Sequence, residues 1–258
     1  MNLRFEVNEH VAILTLNRPE VMNAIDPDLR AALRAAWLQV QSDDQIRVAI
    51  LTGAGDRAFC TGADLKKTMP PKESFAELTF GRAESDHLLT GMNVDKPTIC
   101  AINGLALGGG LEIAMACDIR IASVNAEFSL PEVRIGSMPG GGGTQNLPRL
   151  VGLSNAMLLL LSGDRIDAVE ALRIGLVSRV EDSAGLMRKA FELASKIASN
   201  APLAVRAVKR AARDALDTPL DAGLRAERLA FGLLRDTEDR IEGRNAFRDK
   251  RPPVYKGR

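Results

Sequence analysis

"GLALGGGLEIAMACD", Gly104 to Asp118, is the stretch whose reading decides the fold. Its first eight residues are small or apolar, and a carboxylate in its interior, Glu112, follows directly. Three glycines, Gly108 to Gly110, lead into an apolar run that predicts a helix from Leu111 to about Cys117. Glycine lets another group approach the backbone closely. The first turn of a helix carries N–H groups without intrahelical partners, and the helix dipole favours negative charge there. "GGGLE" therefore offers a backbone donor near Gly109 and a carboxylate one turn on. Two readings compete. The glycines could simply pack the helix against a neighbour while Glu112 pairs with an arginine, or the turn and the carboxylate could form a chemical site.

Outward from this stretch, the first two thirds alternate strand and helix. "HVAILTLN" (10–17), "IRVAILTG" (46–53), "PTICAINGLAL" (97–107) and "DIRIAS" (118–123) read as strands. Asp26 and Pro27 form an N-cap and first helical residue for 27–43, where Leu29, Leu33, Trp37 and Val40 recur at helical spacing. Strand and helix in this order predict an α/β core with parallel pairs. From about Ser154 the pattern is nearly all helical, with breaks near Gly163, Gly175 and Pro202. Residues 70–92, which begin with a proline pair, read as a loop or short helix bordering a site or as a surface excursion.

Composition narrows the function. The chain has 258 residues, is 46% hydrophobic and carries a net charge of +1, which suits a sizeable core and gives no global pull toward nucleic acid. Cys60, Cys100 and Cys117 are widely spaced among small or apolar neighbours and read as reduced and buried. The N-terminal stretch 1–20 has no apolar run long enough for a signal peptide or a membrane span, so a cytoplasmic protein without membrane attachment is expected. His10 and His87 belong to no triad. No metal-ligand cluster, P-loop or dinucleotide fingerprint is present, and "GGGGT" (140–144) lacks the lysine a nucleotide loop needs. It reads instead as room for a helix to start close to a site.

Two further elements accompany Glu112. "SLPEVRIGSMPGGGGTQ" places Glu132 after a proline, either as a second functional carboxylate or as a partner of Arg134. "RAFCTGADLKK" (57–67) reads as a strand-to-helix turn with free N–H groups around Gly62 and Ala63.

With these pieces in order, the chain resembles the crotonase superfamily, and the enoyl-CoA hydratases most. The resemblance is carried by "LTLNRPEVMNAID", "VAILTGAGDRAFCTGADLK", "KPTICAINGLALGGGLEIAMACDIRIAS", "AEFSLPEVRIGSMPGGGGTQNLPRLVG", "LSGDRIDAVEALRIGLVSRV" and "EGRNAFRDKRPPVYKGR", nearly the whole chain. It implies a spiral of ββα units over 1–195, with a helical C-terminal trimerisation region over 196–258, and a homotrimer or a hexamer of two trimers. It implies that the Ala63 and Gly109 N–H groups form an oxyanion hole and that Glu112 and Glu132 are the catalytic pair. Thr61, Gly62, Asp64, Leu65 and Lys66 would border coenzyme A. Phe231, Phe247 and Lys250 match C-terminal positions that touch the coenzyme, in some members across a subunit boundary.

The implied activity is reversible addition of water to 2-trans-enoyl-CoA in fatty-acid or related acyl-CoA catabolism. It needs no metal and no separate cofactor, because coenzyme A is part of the substrate. Members resembling the carnitinyl-CoA dehydratases carry both glutamates too and are the main alternative, beside other lyases and isomerases of the superfamily. The basic stretch 188–216 leaves a remote reading as an RNA-binding protein, against a solvated helix face or steering of coenzyme A phosphates.

Overall fold

The computed structural model describes residues 1–68 and 88–258. Among the described residues ten strands form two sheets. The larger has the order β1 (Leu3–Asn8), β2 (Val11–Leu16), β3 (Val48–Gly53), β5 (Thr98–Ile102), β7 (Ile119–Ser123), β10 (Arg179–Glu181). The smaller runs β4 (Ala58–Cys60), β6 (Leu105–Leu107), β8 (Glu127–Ser129), β9 (Ile166–Asp167). Pairing is parallel except at the hairpin β1–β2 and at β8–β9. The consecutive pairs β3–β4, β5–β6 and β7–β8 each give one strand to each sheet, so the chain winds as a spiral, and a helix follows the first two pairs: α2 (Leu65–Thr68) and α3 (Gly109–Ala116).

The single strand expected over 97–107 is thus two strands in different sheets, and the break has a physical cause. A Cβ on Gly104 would lie 2.5 Å from the Arg57 carbonyl oxygen, so only glycine lets the chain turn there against the β3–β4 loop. Asn103 secures the corner: its Oδ1 accepts the Gly53 N–H at 3.1 Å and its Nδ2 donates to the Gly55 carbonyl at 2.8 Å. β4 is the strand of the strand-to-helix turn read at 57–67, whereas β8, three residues long, and β1, whose LRFEVN alternates apolar and polar residues, went unread. The tail is not wholly helical either, because β9 and β10 close the edges of the two sheets.

The larger sheet is buried on both faces. Alternation along β3 sends Ala49 and Leu51 to the main core and Val48 and Ile50 to the other side. The main core also takes Leu29, Leu33, Trp37 and Val40 of α1 (Pro27–Ser42), whose N-cap is Asp26 as the sequence predicts. The other face is covered by α7 (Leu186–Ala198), where Ala190, Ala194 and Ala198 recur every fourth residue and let the helix lie close to the sheet. α4 (Gly143–Val151), α5 (Leu153–Ser162) and α6 (Ala168–Arg173) pack around the smaller sheet and its connections. α8 (Pro202–Asp214), α9 (Leu220–Leu233) and α10 (Glu238–Arg248) follow at the C-terminus. Residue 195, where the sequence reading divides the chain, lies inside α7.

Candidate active site

The glycine turn ahead of α3 organises the site. Gly108 sits at φ +52 and ψ −128, a conformation that excludes side-chain-bearing residues. Its N–H donates to the Ser129 carbonyl of β8 at 2.9 Å, and its own carbonyl accepts the Glu112 N–H at 3.0 Å. The helix therefore begins at Gly109, two residues earlier than expected. Gly110 presses on β4 so closely that a Cβ there would overlap the Cys60 carbonyl. Gly109, at the first helical position, has no carbonyl four residues back within the helix to receive its N–H.

Ala63 stands opposite. The Ile25 N–H donates to the Gly62 carbonyl at 2.8 Å and the Asp64 N–H donates to the Ile25 carbonyl at 2.9 Å. In such a parallel bridge the middle residue points its own N–H and C=O away from its partner. Ala63 accordingly turns its N–H away from Ile25. A Cβ on Gly109 would stand 3.9 Å from the Ala63 nitrogen, and one on Gly62 would stand 3.1 Å from the Gly109 nitrogen. The two backbone donors singled out from the sequence are thus neighbours.

Both glutamates flank this turn. Glu112 is only 3% exposed, and its Oε1 accepts the N–H groups of Gly141 at 2.7 Å and Gly143 at 2.8 Å. Two donors on one oxygen stabilise its negative charge. The "GGGG" run thus supplies hydrogen bonds as well as room for α4, a use the sequence reading missed. Glu132, in the 3-10 turn Pro131–Ile135, is half-buried. A Cβ on Gly108 would lie 3.0 Å from its Oε1, and its buried Oε2 has no hydrogen-bond partner among the described residues. Burial pushes the Glu132 carboxyl above its ordinary value; its own backbone N–H pulls it down, and the nearby Glu112 pushes it up. Arg134 turns away to Asp164 and the Ser162 carbonyl, so it is not the partner of Glu132.

The other residues named from the sequence divide into two groups. Thr61, Gly62, Asp64, Leu65 and Lys66 follow β4 beside Ala63. Thr61 Oγ1 donates to the Met22 carbonyl at 3.4 Å, Gly62 turns at φ +88, Asp64 receives Arg18, and Leu65 and Lys66 face outward. Phe231 and Phe247 line a cavity of about 840 Å³ between α9 and α10, with the Arg240 guanidinium 4.9 Å from the Phe231 ring centre. Lys250 follows α10 at φ +52. This cavity shares no lining residue with 61–66 or with the glutamates, so the single chain does not join the C-terminal residues to the turn.

Of the segment 70–92, residues 70–87, including His87, lie outside the described residues. Leu88 and Leu89 do border the site: Leu88 Cδ2 lies 3.0 Å from a Cβ on Gly109 and 2.9 Å from one on Gly141, and Leu89 Cδ1 lies 3.4 Å from one on Gly142. Among the described residues no three His, Cys, Asp or Glu side chains are grouped to hold a metal ion. No helix of the described residues is long and apolar enough to cross a membrane.

Known proteins share this arrangement across the whole chain. The model of the enoyl-CoA hydratase/isomerase family matches residues 6–258. The chain is 51% identical over 257 residues to an (E)-benzylidenesuccinyl-CoA hydratase of Thauera aromatica, covering 100% of both. It is 45% identical to a 2,3-dehydroadipyl-CoA hydratase of Escherichia coli, covering 97% of this chain and 96% of the relative. Among solved structures, an enoyl-CoA hydratase from Bacillus anthracis superposes with a TM-score of 0.92 at 40% identity, covering 100% of both chains. The chain therefore belongs to the enoyl-CoA hydratase/isomerase family and has its crotonase fold.

Proposed function

We propose that the chain is an enoyl-CoA hydratase that adds water reversibly to 2-trans-enoyl-CoA, giving 3-hydroxyacyl-CoA. One observation carries the reading: two carboxylates flank one glycine turn in different surroundings. Glu112 receives two backbone N–H bonds that favour charge, while burial holds Glu132 toward its protonated form. Water addition at the β-carbon needs a base, and the α-carbon needs a proton. Glu112 takes the proton from water, and Glu132 delivers a proton to the α-carbon. The thioester oxygen gains negative charge as the new bond forms, and the Ala63 and Gly109 N–H groups receive it. A single donor of this kind is worth roughly 3–4 kcal/mol. No metal or separate cofactor has a step in this scheme; coenzyme A arrives with the substrate, along Thr61, Gly62, Asp64, Leu65 and Lys66.

The test is a panel of thioesters: crotonyl-CoA, longer 2-enoyl-CoAs, (E)-benzylidenesuccinyl-CoA and a carnitinyl-type thioester, each followed by NMR. Formation of 3-hydroxyacyl-CoA from at least one 2-enoyl-CoA is the expected result. Turnover of the carnitinyl-type thioester alone replaces hydratase with dehydratase. The reading places the reaction in acyl-CoA catabolism, and the three buried free cysteines suit a reducing cytoplasm.

The same reading extends to a homotrimer or a hexamer of two trimers. α9 has no buried residue, and Leu220, Leu229 and Leu233 are 75%, 71% and 81% exposed. Apolar side chains in that density on one helix favour a partner surface. The C-terminal residues Phe231, Phe247 and Lys250 would then reach coenzyme A across a subunit boundary. A stable monomer at micromolar concentration in ultracentrifugation would overturn the assembly.

A further inference from the structure

Arg18 lies in no part of the glycine turn, yet its guanidinium touches both sides of the bridge that sets Ala63. It is 6% exposed. Its Nη1 donates to the Ala24 carbonyl at 2.5 Å. Its Nη2 donates to Asp64 Oδ2 at 3.0 Å and lies 3.4 Å from Asp26 Oδ2. Ala24 and Asp26 flank Ile25 on one side of the bridge, and Asp64 adjoins Ala63 on the other. One planar group thus joins the two chain segments that Ile25 also links by backbone bonds to Gly62 and Asp64.

The backbone that carries the guanidinium is itself anchored. The Arg18 backbone N–H donates to Asn23 Oδ1 at 2.9 Å, and Asn23 Nδ2 donates to the carbonyls of Ala54 and Ala58 at 3.0 and 2.9 Å. Asp26 is fully buried, accepts the Leu29 N–H as the cap of α1, and pairs with Lys67 of α2 at 2.6 Å. Burial alone would push the Asp26 carboxyl up, but Lys67, the Leu29 N–H and Arg18 together hold it below its ordinary value. The chain that follows Ala63 is therefore tied by charge-assisted bonds, through Asp64 and Lys67, to the start of α1.

We propose that Arg18 is a positioning residue for the oxyanion hole: by bridging Ala24, Asp26 and Asp64 it fixes the direction of the Ala63 N–H. The proposal rests on the hydratase reading, in which that N–H receives the thioester oxygen. A lysine has the charge but only one nitrogen, so it cannot reach three acceptors set apart in this way. Loss of the bridge removes the link between Asp64 and the Ala24–Asp26 segment and so gives the Ala63 N–H more room to tilt. A donor that tilts loses transition-state stabilisation while the coenzyme is still held by its other contacts.

The experiment uses the full-length protein with Arg18→Lys and Asp64→Asn, the second leaving the Arg18–Asp26 and Arg18–Ala24 contacts in place. Three readouts are taken: the KM-against-kcat split on the best 2-enoyl-CoA, the melting temperature, and the absorption of bound 3-phenylpropenoyl-CoA. A polarised thioester carbonyl moves that band to longer wavelength, so it reports the donors directly. Arg18→Lys is expected to lower kcat at least tenfold with KM changed less than threefold, and to shrink the red shift. Asp64→Asn is expected to do the same to a smaller degree, and it decides the matter if Arg18→Lys does not fold. A full red shift in the folded variants overturns the positioning role even if kcat falls. A wild type with no red shift and no hydration of any thioester overturns the hydratase reading instead, which keeps the two failures apart.

Discussion

Gly141 meets Glu112 at both carboxylate oxygens: its N–H donates to Oε1 at 2.7 Å, and a Cβ on it would stand 2.5 Å from Oε2. The glycine both holds the carboxylate and leaves the space the carboxylate fills. Its backbone is not in the left-handed region, so alanine brings no conformational strain there. Gly141→Ala is therefore expected to push Glu112 off its seat while the fold stays intact. Hydration should fall at least tenfold with the melting temperature changed by only a few degrees. Wild-type turnover in a soluble Gly141→Ala protein would show that the position of Glu112 does not matter to the reaction.

Glu132 connects activity and stability with opposite signs. Under the proposed mechanism Glu132→Gln removes the proton donor to the α-carbon, and general acid–base groups contribute roughly 10²–10⁴-fold. The same change relieves the fold. The carboxyl is raised above 4.5 in the folded protein, so the folded state holds its proton more tightly than the unfolded state does. Wild-type stability tied to this group is complete below pH 4.5 and is lost as pH rises through the folded value. Glu132→Gln does not titrate, so its melting temperature should equal or exceed wild type at pH 8, with the difference closing below pH 4.5. A variant less stable than wild type at pH 8 but not at pH 4 would reverse the sign and refute the raised carboxyl.

The far end of α3 is held by α8. Asp118 accepts the Thr98 N–H at 2.7 Å, pairs with Lys209 at 2.8 Å, and pairs with Arg213 at 2.8 Å. Arg213 also donates to the Ala116 carbonyl at the C-terminal end of α3, where a cation is favoured. The Lys209 side chain is only 8% exposed, so removing Asp118 leaves a nearly buried cation without its carboxylate. Breaking a fully buried pair costs about 3–5 kcal/mol, and the partial exposure of Asp118 and Arg213 reduces this to about 1–3 kcal/mol. Asp118→Ala should lose that much in urea unfolding. Asp118→Asn, which still accepts hydrogen bonds, should lose less. Equal stability of all three proteins would show that α8 is held by other contacts.

Legibility in the sequence followed the strength of the local signal. The Asp26–Pro27 cap and the spacing of Leu29, Leu33, Trp37 and Val40 predicted α1 because one periodic face dominates that helix. The strand at 97–107 was read as one because the apolar runs on either side outweighed the Asn103–Gly104 turn signal between them; what makes glycine necessary at the corner is the Arg57 carbonyl, 47 positions away in the chain. Glycine-rich turns and isolated carboxylates drew notice to the Gly62–Ala63 turn, Gly109, Glu112 and Glu132, but each signal was weak alone, and it was the resemblance to the crotonase superfamily that implied their roles. The donors of Gly141 and Gly143 were not seen, since a backbone N–H has no letter of its own. Arg18 was passed over for the same kind of reason: one arginine beside a proline looks like a surface turn until Asp64 is seen next to it.

Glu112 separates hydration from isomerisation. Moving a double bond takes one proton from one carbon and returns it to another, which a single carboxylate can perform. Adding water takes a second acceptor for the proton of water, the part that the proposed mechanism gives to Glu112, one helical turn from Gly109. Glutamine at 112 keeps an oxygen for the Gly141 and Gly143 N–H groups but cannot accept a proton from water, so the loop is left in place. Glu112→Gln should therefore lose formation of 3-hydroxyacyl-CoA from 2-enoyl-CoA almost completely. It should keep much of the exchange of the acyl α-proton with solvent deuterium, because Glu132 and the two backbone donors remain. NMR of the products from 2-enoyl-CoA and 3-enoyl-CoA, and of α-deuteration in a saturated acyl-CoA, measures all three processes on the same protein. Equal loss of hydration and exchange would mean that the two carboxylates act as one unit. A wild type that converts 3-enoyl-CoA quickly but hydrates no 2-enoyl-CoA would end the case for hydration, because Glu112 would then have no proton of water to accept.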